Sequence, residues 1–459
     1  MPINASEFLK ACDPSRALSI SNPQDREYYI DFAPVRGSNI IQELKRTIAL
    51  LPDEGTCQLF TGHIGCGKST ELLRLKTELE QLGFYVVYFV STEDLDMSDV
   101  DVTDILIAIA HQVSEKLEAD QIKLKPKYFA NLFTEIGEIL QTPIEISQVD
   151  FSVGISKITA RTKDSPRLRN QLRQYMEPRT NGILQSLNEE LLGQANLQLK
   201  ARGNQGLVVI IDNLDRVDAR QLPSGRTQPE YLFVDRGEQL SKLNCHVVYT
   251  IPLALVFSNE VEILKQWFGG GVSPKILPMV PVRRRDGTHY DEGIALLRQM
   301  VLARAFPHLD ATQRLARLQD VFDRMETLDR LCLVSGGHVR NLLGLLRNCV
   351  QQGDPPFSHD AVEHVIRRQR DALVRTIDDD EWALIFQVVE QQSAKGEVEY
   401  QTLLRSMFMF EYQDQQGGWF GINPMLAETK RYQAWVAGQA VRRSVAADSP
   451  SRDFWWDGT

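Results

Sequence analysis

Two kinds of apolar spacing alternate along this chain. Unbroken apolar runs at Phe84-Tyr85-Val86-Val87-Tyr88-Phe89-Val90, Leu207-Val208-Val209-Ile210-Ile211 and His246-Val247-Val248-Tyr249-Thr250-Ile251 suit strands buried on both faces of a parallel sheet. The shorter Cys57-Gln58-Leu59-Phe60 adds a strand, and Lys275-Ile276-Leu277-Pro278-Met279-Val280 a last one, at a sheet edge because proline cannot donate to a ladder. Between these runs the spacing turns helical. Ile40, Ile41, Leu44, Ile48 and Leu51 recur on one stripe behind Ser38 as a cap, Glu71 to Leu79 is amphipathic, and Ile105, Ile109, Val113 and Leu117 share one helix face. Residues 253–268 read as a helix stopped by Gly269-Gly270-Gly271, and 91–101 as an acidic loop. Strands alternating with helices predict a parallel α/β sheet whose site lies at the strands' C-terminal ends.

Three stretches depart from that alternation. Residues 1–35 are mixed and turn-rich, with Tyr28-Tyr29-Ile30-Asp31-Phe32 as a short extended piece, and form an arm placed to supply an adenine pocket. Residues 119–205 contain no strong strand and read as a largely helical insertion. From Asp291 three helical stripes follow: Ile294, Leu297, Val301 and Leu302, then residues 314–333, then Val339, Leu342, Leu343, Leu346 and Val350. Helices at Glu381 to Gln391 and Tyr400 to Phe408 precede a hairpin that turns at Gln415-Gln416-Gly417-Gly418, a succession that suggests a winged helix. The expected division is an arm (1–35), a sheet core (36–285) carrying the insertion, a helical lid (286–375), a winged-helix unit (376–443) and a flexible tail (444–459) with an aromatic Phe454-Trp455-Trp456 anchor.

The chemistry concentrates where the first strand meets its helix. Gly62-His63-Ile64-Gly65-Cys66-Gly67-Lys68-Ser69-Thr70 matches the P-loop pattern G-x-x-x-x-G-K-[ST] at Gly62, Gly67, Lys68 and Ser69, between a strand and a helix as that pattern requires. Glycines let successive N–H groups turn inward toward phosphate oxygens, and the helix N-terminus adds positive potential there. Lys68 would reach the β- and γ-phosphates and the Ser69 hydroxyl would ligate Mg²⁺, so ATP with Mg²⁺ is the expected ligand. Leu207 to Asp212 reads as a buried strand beside the P-loop strand, its terminal Asp212 placed to hold a Mg²⁺-bound water. Thr250 ends the next strand, within reach of the γ-phosphate or the attacking water. Arg340 sits in the first turn of its helix, against the macrodipole's preference for negative charge, a misfit that a bound phosphate would relieve.

Composition narrows the setting. A chain of 459 residues has room for two or three domains with sizeable cores. A net charge of -10 argues against general coating of nucleic acid. One basic cluster stands out in the insertion, Lys157, Arg161, Lys163, Arg167, Arg169, Arg173 and Arg179 against Asp164 and Glu177, suited to a phosphate backbone or an acidic partner. The second helix of the winged-helix unit carries only Arg405, with Glu397 and Glu399 upstream, which suits packing or protein contact better than a DNA groove. The six cysteines are scattered without a C-x-x-C pair, which points to reduced thiols rather than a disulfide frame or zinc site. No segment approaches the roughly twenty apolar residues of a membrane span and no leader pattern opens the chain, so a soluble cytoplasmic protein is expected.

With these residues placed, the chain resembles the AAA+ and STAND group of P-loop ATPases. Asp212-Asn213-Leu214-Asp215-Arg216 resembles the D-x-L-D-R form of KAP and STAND proteins. Ser335-Gly336-Gly337-His338-Val339-Arg340 is similar to the sensor 2 element of origin-recognition and transposition-regulator AAA+ ATPases, which also carry a helical lid and a winged helix. The likeness spans about residues 36–440 and implies Thr250 as sensor 1 and Arg340 as sensor 2, reporting the γ-phosphate to the lid. Two positions depart from the pattern. Asn213 stands where AAA+ enzymes usually place a glutamate base, leaving Asp215 or Glu93 to activate water, and no arginine finger is evident between Leu253 and Pro274, leaving Arg216 or Arg283 to Arg285. The resemblance implies slow ATP hydrolysis and a nucleotide-controlled switch for assembly or signalling in prokaryotic defence. Such a switch works as a homo-oligomer or with a protein partner held by the winged helix, the insertion or the tail. The competing expectation is a DNA-dependent ATPase, a loader or a regulator of transposition or replication, with the basic insertion lining DNA.

Overall fold

The computed structural model describes residues 3–124, 126–139, 152, 153, 156, 165–393 and 398–447. The tail aromatics, Glu397 and the basic residues Lys157, Arg161 and Lys163 lie outside them. Five strands, β1 (Cys57–Gly62), β2 (Tyr85–Val90), β3 (Leu207–Asp212), β4 (His246–Thr250) and β5 (Lys275–Leu277), form one sheet in the order β2-β3-β4-β1-β5. Every ladder is parallel, so the carboxyl ends meet on one side: Phe60 pairs with Thr250, and Val90 with Asp212. β3 and β4 are buried at every position, which is why their sequences are unbroken apolar runs. The expected adjacency of β3 to the P-loop strand is corrected, because β4 stands between them. A buried run ending in aspartate is satisfied by any inner strand, and the order is set by how the crossover helices pack. β5 does take the edge, where the nearby Pro278 costs no ladder bond.

The helices along the first half are α1 (Ala5–Ala11), α2 (Pro23–Tyr28), α3 (Ile40–Leu50), α4 (Lys68–Gln81) and α5 (Val102–Ala119). Asn22 caps α2 with proline in the first turn, a start signal for a helix that takes in Tyr28, the first residue of the expected extended piece. Asn39, not Ser38, caps α3. In the insertion, helices Lys127–Ile139, Pro166–Met176, Thr180–Ser186 and Gly193–Ala201 lay Phe129, Leu172, Ile183 and Leu199 into the same apolar cluster as Ile105 and Ile109 of α5. The helix expected over 253–268 splits into Leu253–Val256 and Val261–Phe268, and that over 314–333 into Ala311–Ala316 and Met325–Val334 with a short turn between.

Four longer helices follow the sheet, α6 (Asp291–Ala305), α7 (Met325–Val334), α8 (Val339–Gln352) and α9 (His359–Val374). Their apolar faces share a cluster with Phe8, Cys12, Phe32 and Val35, so the arm is folded into the lid. The chain then forms α10 (Asp379–Gln391), α11 (Val398–Arg405), the hairpin β6 (Met409–Asp414) and β7 (Gly417–Ile422), and α12 (Lys430–Ala447), a winged-helix arrangement. Strand alternation gives the wing two faces. Phe410, Tyr412 and Trp419 pack with Phe60, Leu72 and Leu277 of the sheet core, while Met409 and Phe420 pack with Trp382, Ile385 and Leu403 of their own unit. All six cysteines are free and five are buried. No described helix is long and apolar enough to cross a membrane.

Candidate nucleotide-binding site

At the end of β1 the backbone turns through Gly62, Gly65 and Gly67 with φ of 152°, 89° and 108°, values that L side chains rarely adopt. The tightness is also steric: a Cβ on Gly65 would lie 2.8 Å from the Cβ of Arg340 and 2.9 Å from His338 Nε2, and one on Gly62 would lie 2.6 Å from the Leu277 carbonyl oxygen. α4 begins at Lys68, so the loop opens onto a helix N-terminus beside a cavity of about 620 Å³. Ile64, Gly65, Cys66, Gly67, Lys68, Ser69 and Thr70 all line it; Gly62 and His63 lie just behind, lining a second cavity of about 260 Å³.

Lys68 is buried and fully engaged. Its Nζ is 2.9 Å from Asp215 Oδ2 and donates to the Gly62 and His63 carbonyls at 2.7 and 2.9 Å. Burial opposes its charge, but Asp215, Cys66 and Asp212 outweigh that and hold its pKa above the ordinary lysine value. Asp212, at the carboxyl end of β3, accepts the Tyr88 hydroxyl at 2.8 Å and the Asn213 N–H at 2.7 Å. Asn213 itself is left-handed (φ 64°), where asparagine is tolerated far better than most side chains. The turn it makes carries Asp215 to Lys68, so this position serves the backbone and not proton transfer. Asp215 is buried with Oδ1 unpartnered, and Arg216 beside it reaches both cavities.

Thr250 stands apart from the expected contact with a γ-phosphate. It is 0 % exposed and lines neither cavity; its hydroxyl accepts the Leu214 N–H at 2.9 Å and donates to the Ile211 carbonyl at 3.1 Å. It therefore fixes the turn that carries Asp215. Arg340 does line the main cavity, and its backbone N–H donates to the Gly65 carbonyl at 3.1 Å while Nε donates to the Pro14 carbonyl at 3.3 Å. Burial and the neighbouring Arg216 lower its pKa, the electrostatic signature of cations gathered without enough anions. Of the other arginine candidates, Arg285 makes a two-point pair with Asp414 of the wing, while Arg283 and Arg284 bond carbonyls of their own loop. Glu93 lies outside both cavities.

These residues suit a triphosphate with a hard cation. The cradle supplies inward N–H groups, a lysine and two arginines, and Ser69 and Asp212 line the same cavity wall. Mg²⁺ is usually held by one or two protein oxygens together with phosphates and water, and Ser69 and Asp212 would supply such oxygens.

Residues 38–224 match the model of the KAP family P-loop domain. This chain contains a P-loop NTPase domain. No curated protein matches the chain. Solved structures align along most of the chain at low identity. A Walker-type ATPase of Pyrococcus abyssi is 11 % identical over 91 % of this chain and 98 % of its own, at a TM-score of 0.43. The ORC2 protein of Aeropyrum pernix, in ADPNP and ADP complexes, is 12 % identical over 88 % and 94 %, at 0.36, and Cdc6p of Pyrobaculum aerophilum is 12 % identical over 90 % and 98 %, at 0.36.

The NTPase domain also recruits Arg36 and Tyr88, which no motif marked, and gives the motif residues Thr70, His63 and His338 partners that the motifs did not name. Arg36 is 3 % exposed, donates to the Cys66 carbonyl at 2.7 Å, and leaves Nε unpartnered in the cavity wall. Thr70 accepts the Leu18 N–H at 3.1 Å, tying the arm to α4. Tyr88 was read only as a strand residue. His63 and His338 clamp the P-loop from behind: His63 Nε2 accepts the Glu411 N–H at 2.9 Å, His338 bonds the Ile64 carbonyl at 2.8 Å, and Phe410 packs on both rings. Burial lowers the pKa of His63 to about 3 and of His338 to about 4, so both are neutral near pH 7. The signal for these contacts, histidines flanking glycine-rich turns, is too common to have named their partners.

Proposed function

We propose that the chain is an ATP-binding, slowly hydrolysing AAA+-like ATPase that works as a nucleotide-controlled switch. The observation that carries this reading is the Lys68–Asp215 pair at the mouth of the cradle, joined through the Gly65 carbonyl to the first turn of the lid helix α8. On binding, Lys68 exchanges Asp215 and two carbonyls for β- and γ-phosphate oxygens, and Asp215 becomes available to orient water. Mg²⁺, held by Ser69 and Asp212, would supply neutralisation of charge developing on the phosphates. Arg340 and Arg216 draw toward the terminal phosphate, and because Arg340 shares a backbone bond with Gly65, its movement is felt by α8. Exchange of one buried ion pair for another gives two states of similar energy, which is what a switch needs and what rapid turnover does not favour. Assembly or signalling, including prokaryotic defence, is the role such a switch serves, through a second copy or a protein partner.

The DNA-dependent reading loses support from the insertion. Arg169 is buried against Asp96 at 2.7 Å, and Arg173 meets Asp99, Asp101 and Asp104. Two of the basic residues expected to line DNA thus answer this chain's own carboxylates.

The test compares hydrogen exchange over residues 336–341 and 409–414 with ATP, with ADP and without nucleotide. Protection that differs between ATP and ADP, and vanishes in Lys68→Ala, is the expected result. Rapid ATP turnover by the purified chain alone, with exchange indifferent to nucleotide, would replace the switch by a motor.

A further inference from the structure

We propose that Arg304 reads the edge of the nucleotide base and so sets which nucleoside the cavity accepts; this inference rests on the nucleotide reading above. Arg304 lies in the last turn of α6, one turn beyond Met300, and both residues line the cavity. It is 7 % exposed, and among the described residues its guanidinium makes no hydrogen bond or ion pair, with Nε and Nη1 out of water and without an acceptor. Its neighbour is the Tyr28 ring, 5.0 Å from the guanidinium carbon. Burial pulls its pKa down to about 10, which leaves it charged at neutral pH.

An unpaired buried charge is costly, and proteins retain one where something answers it. Among the described residues the Tyr28 ring faces it, and no acceptor meets Nε or Nη1. The acid that acts on Arg304 is Asp25, and its carboxylate is already held by Arg16 and by the Ser19 N–H. The occupant of the cavity is left to supply the acceptor.

Position decides which part of that occupant it is. Arg304 lies over the Tyr28 ring of the arm helix α2, whereas Arg340 is bonded through its backbone to Gly65 of the P-loop. Arg304 therefore marks the arm end of the cavity and Lys68 the phosphate end. A nucleotide whose phosphates sit in the cradle directs its nucleoside toward Tyr28 and Arg304. Aromatic rings offer a base a stacking face, and a guanidinium offers donors that match purine ring acceptors. Adenine carries three such acceptors, N1, N3 and N7.

The test is equilibrium binding of ATP and of its 1-deaza, 3-deaza and 7-deaza analogues, each with one acceptor nitrogen replaced by C–H, to the full chain, to Arg304→Met and to Lys68→Ala. The expected result is one analogue that binds the natural chain about 10- to 150-fold more weakly than ATP, the worth of one charge-assisted hydrogen bond, with that penalty gone in Arg304→Met. Equal binding of all three analogues by the natural chain overturns the proposal, as does a penalty unchanged in Arg304→Met. A penalty confined to 2′-deoxy-ATP overturns it too and moves the contact to the ribose. If Arg304→Met fails to fold, Arg304→Lys, which keeps the charge and loses the fork, takes its place. Binding that Lys68→Ala abolishes but that ignores the base edge sinks this inference and leaves the nucleotide site standing; no nucleotide binding by the natural chain sinks both.

Discussion

The two ends of the cavity solve the same problem in opposite ways. At the cradle Lys68 is answered by Asp215 and two carbonyls, and Asp212 by Tyr88 and Asn213. Where the lid meets the arm, Arg304 is equally buried yet keeps two nitrogens without acceptors. The cradle can stand as it is and must trade partners to bind. The arm wall is incomplete by itself, so a ligand there adds bonds without breaking any. Affinity for phosphate and discrimination among bases should therefore separate by mutation.

The largest effect is expected at Lys68. Lys68→Ala should weaken ATP binding by at least about 100-fold, because a buried charge-assisted contact is lost while Asp215 is left alone, and should affect every nucleoside triphosphate alike. Titration with ATP, GTP and CTP would show it, and a loss restricted to one base would break the division between the two ends. Next comes Gly65→Ala. With φ at 89° and Arg340 Cβ 2.8 Å from the added methyl, it should cost about 1–3 kcal/mol and loosen α8 from the P-loop, read as a lowered melting temperature with weakened ATP binding.

Thr250→Val sharpens the point that not every conserved-looking position of the sheet edge touches ligand chemistry. Removing a buried hydroxyl that joins Leu214 to Ile211 should cost about 1–3 kcal/mol in thermal stability and slow hydrolysis through Asp215, with ATP affinity close to unchanged. Slowed hydrolysis at undiminished melting temperature would instead return Thr250 to a direct role.

The smallest effect carries a pH signature. Glu411 is buried in the wing with Oε2 unpartnered, and burial raises its pKa from 4.5 to about 8. The folded chain keeps a proton that the unfolded chain gives up near 4.5, so this contribution is full below that pH and is lost as the pH rises toward 8. Glu411→Gln should therefore raise the melting temperature by a few degrees at pH 8 and hardly at all at pH 5. The clamp histidines work with the opposite sign: the unfolded chain takes up protons below about 6.5 that His63 and His338 refuse, so their share of stability falls as the pH drops toward 4. A pH-independent gain in Glu411→Gln would show that Glu411 is ionised in the fold.

How much of this was legible in the sequence follows from the range of each interaction. The strand runs and the P-loop are local: a short apolar run rich in β-branched and aromatic residues, bounded by turn signals, suits an inner strand, and glycines spaced around Lys68 favour a turn. Helix breaks at 257–260 and 317–324 were not legible, since an apolar stripe continues across a turn when both pieces face the same core. The order β2-β3-β4-β1-β5, the inward use of Thr250 and the clamp of His63 and His338 on the wing were decided by tertiary packing, because each depends on which surface arrives from a different element, dozens to hundreds of residues away. Sequence alone marked the P-loop at Gly62 to Thr70. Only the fold could bring Tyr88, Arg36 and Arg304 to its cavity, because a side chain from another element becomes a neighbour through packing and leaves no spacing behind in the chain.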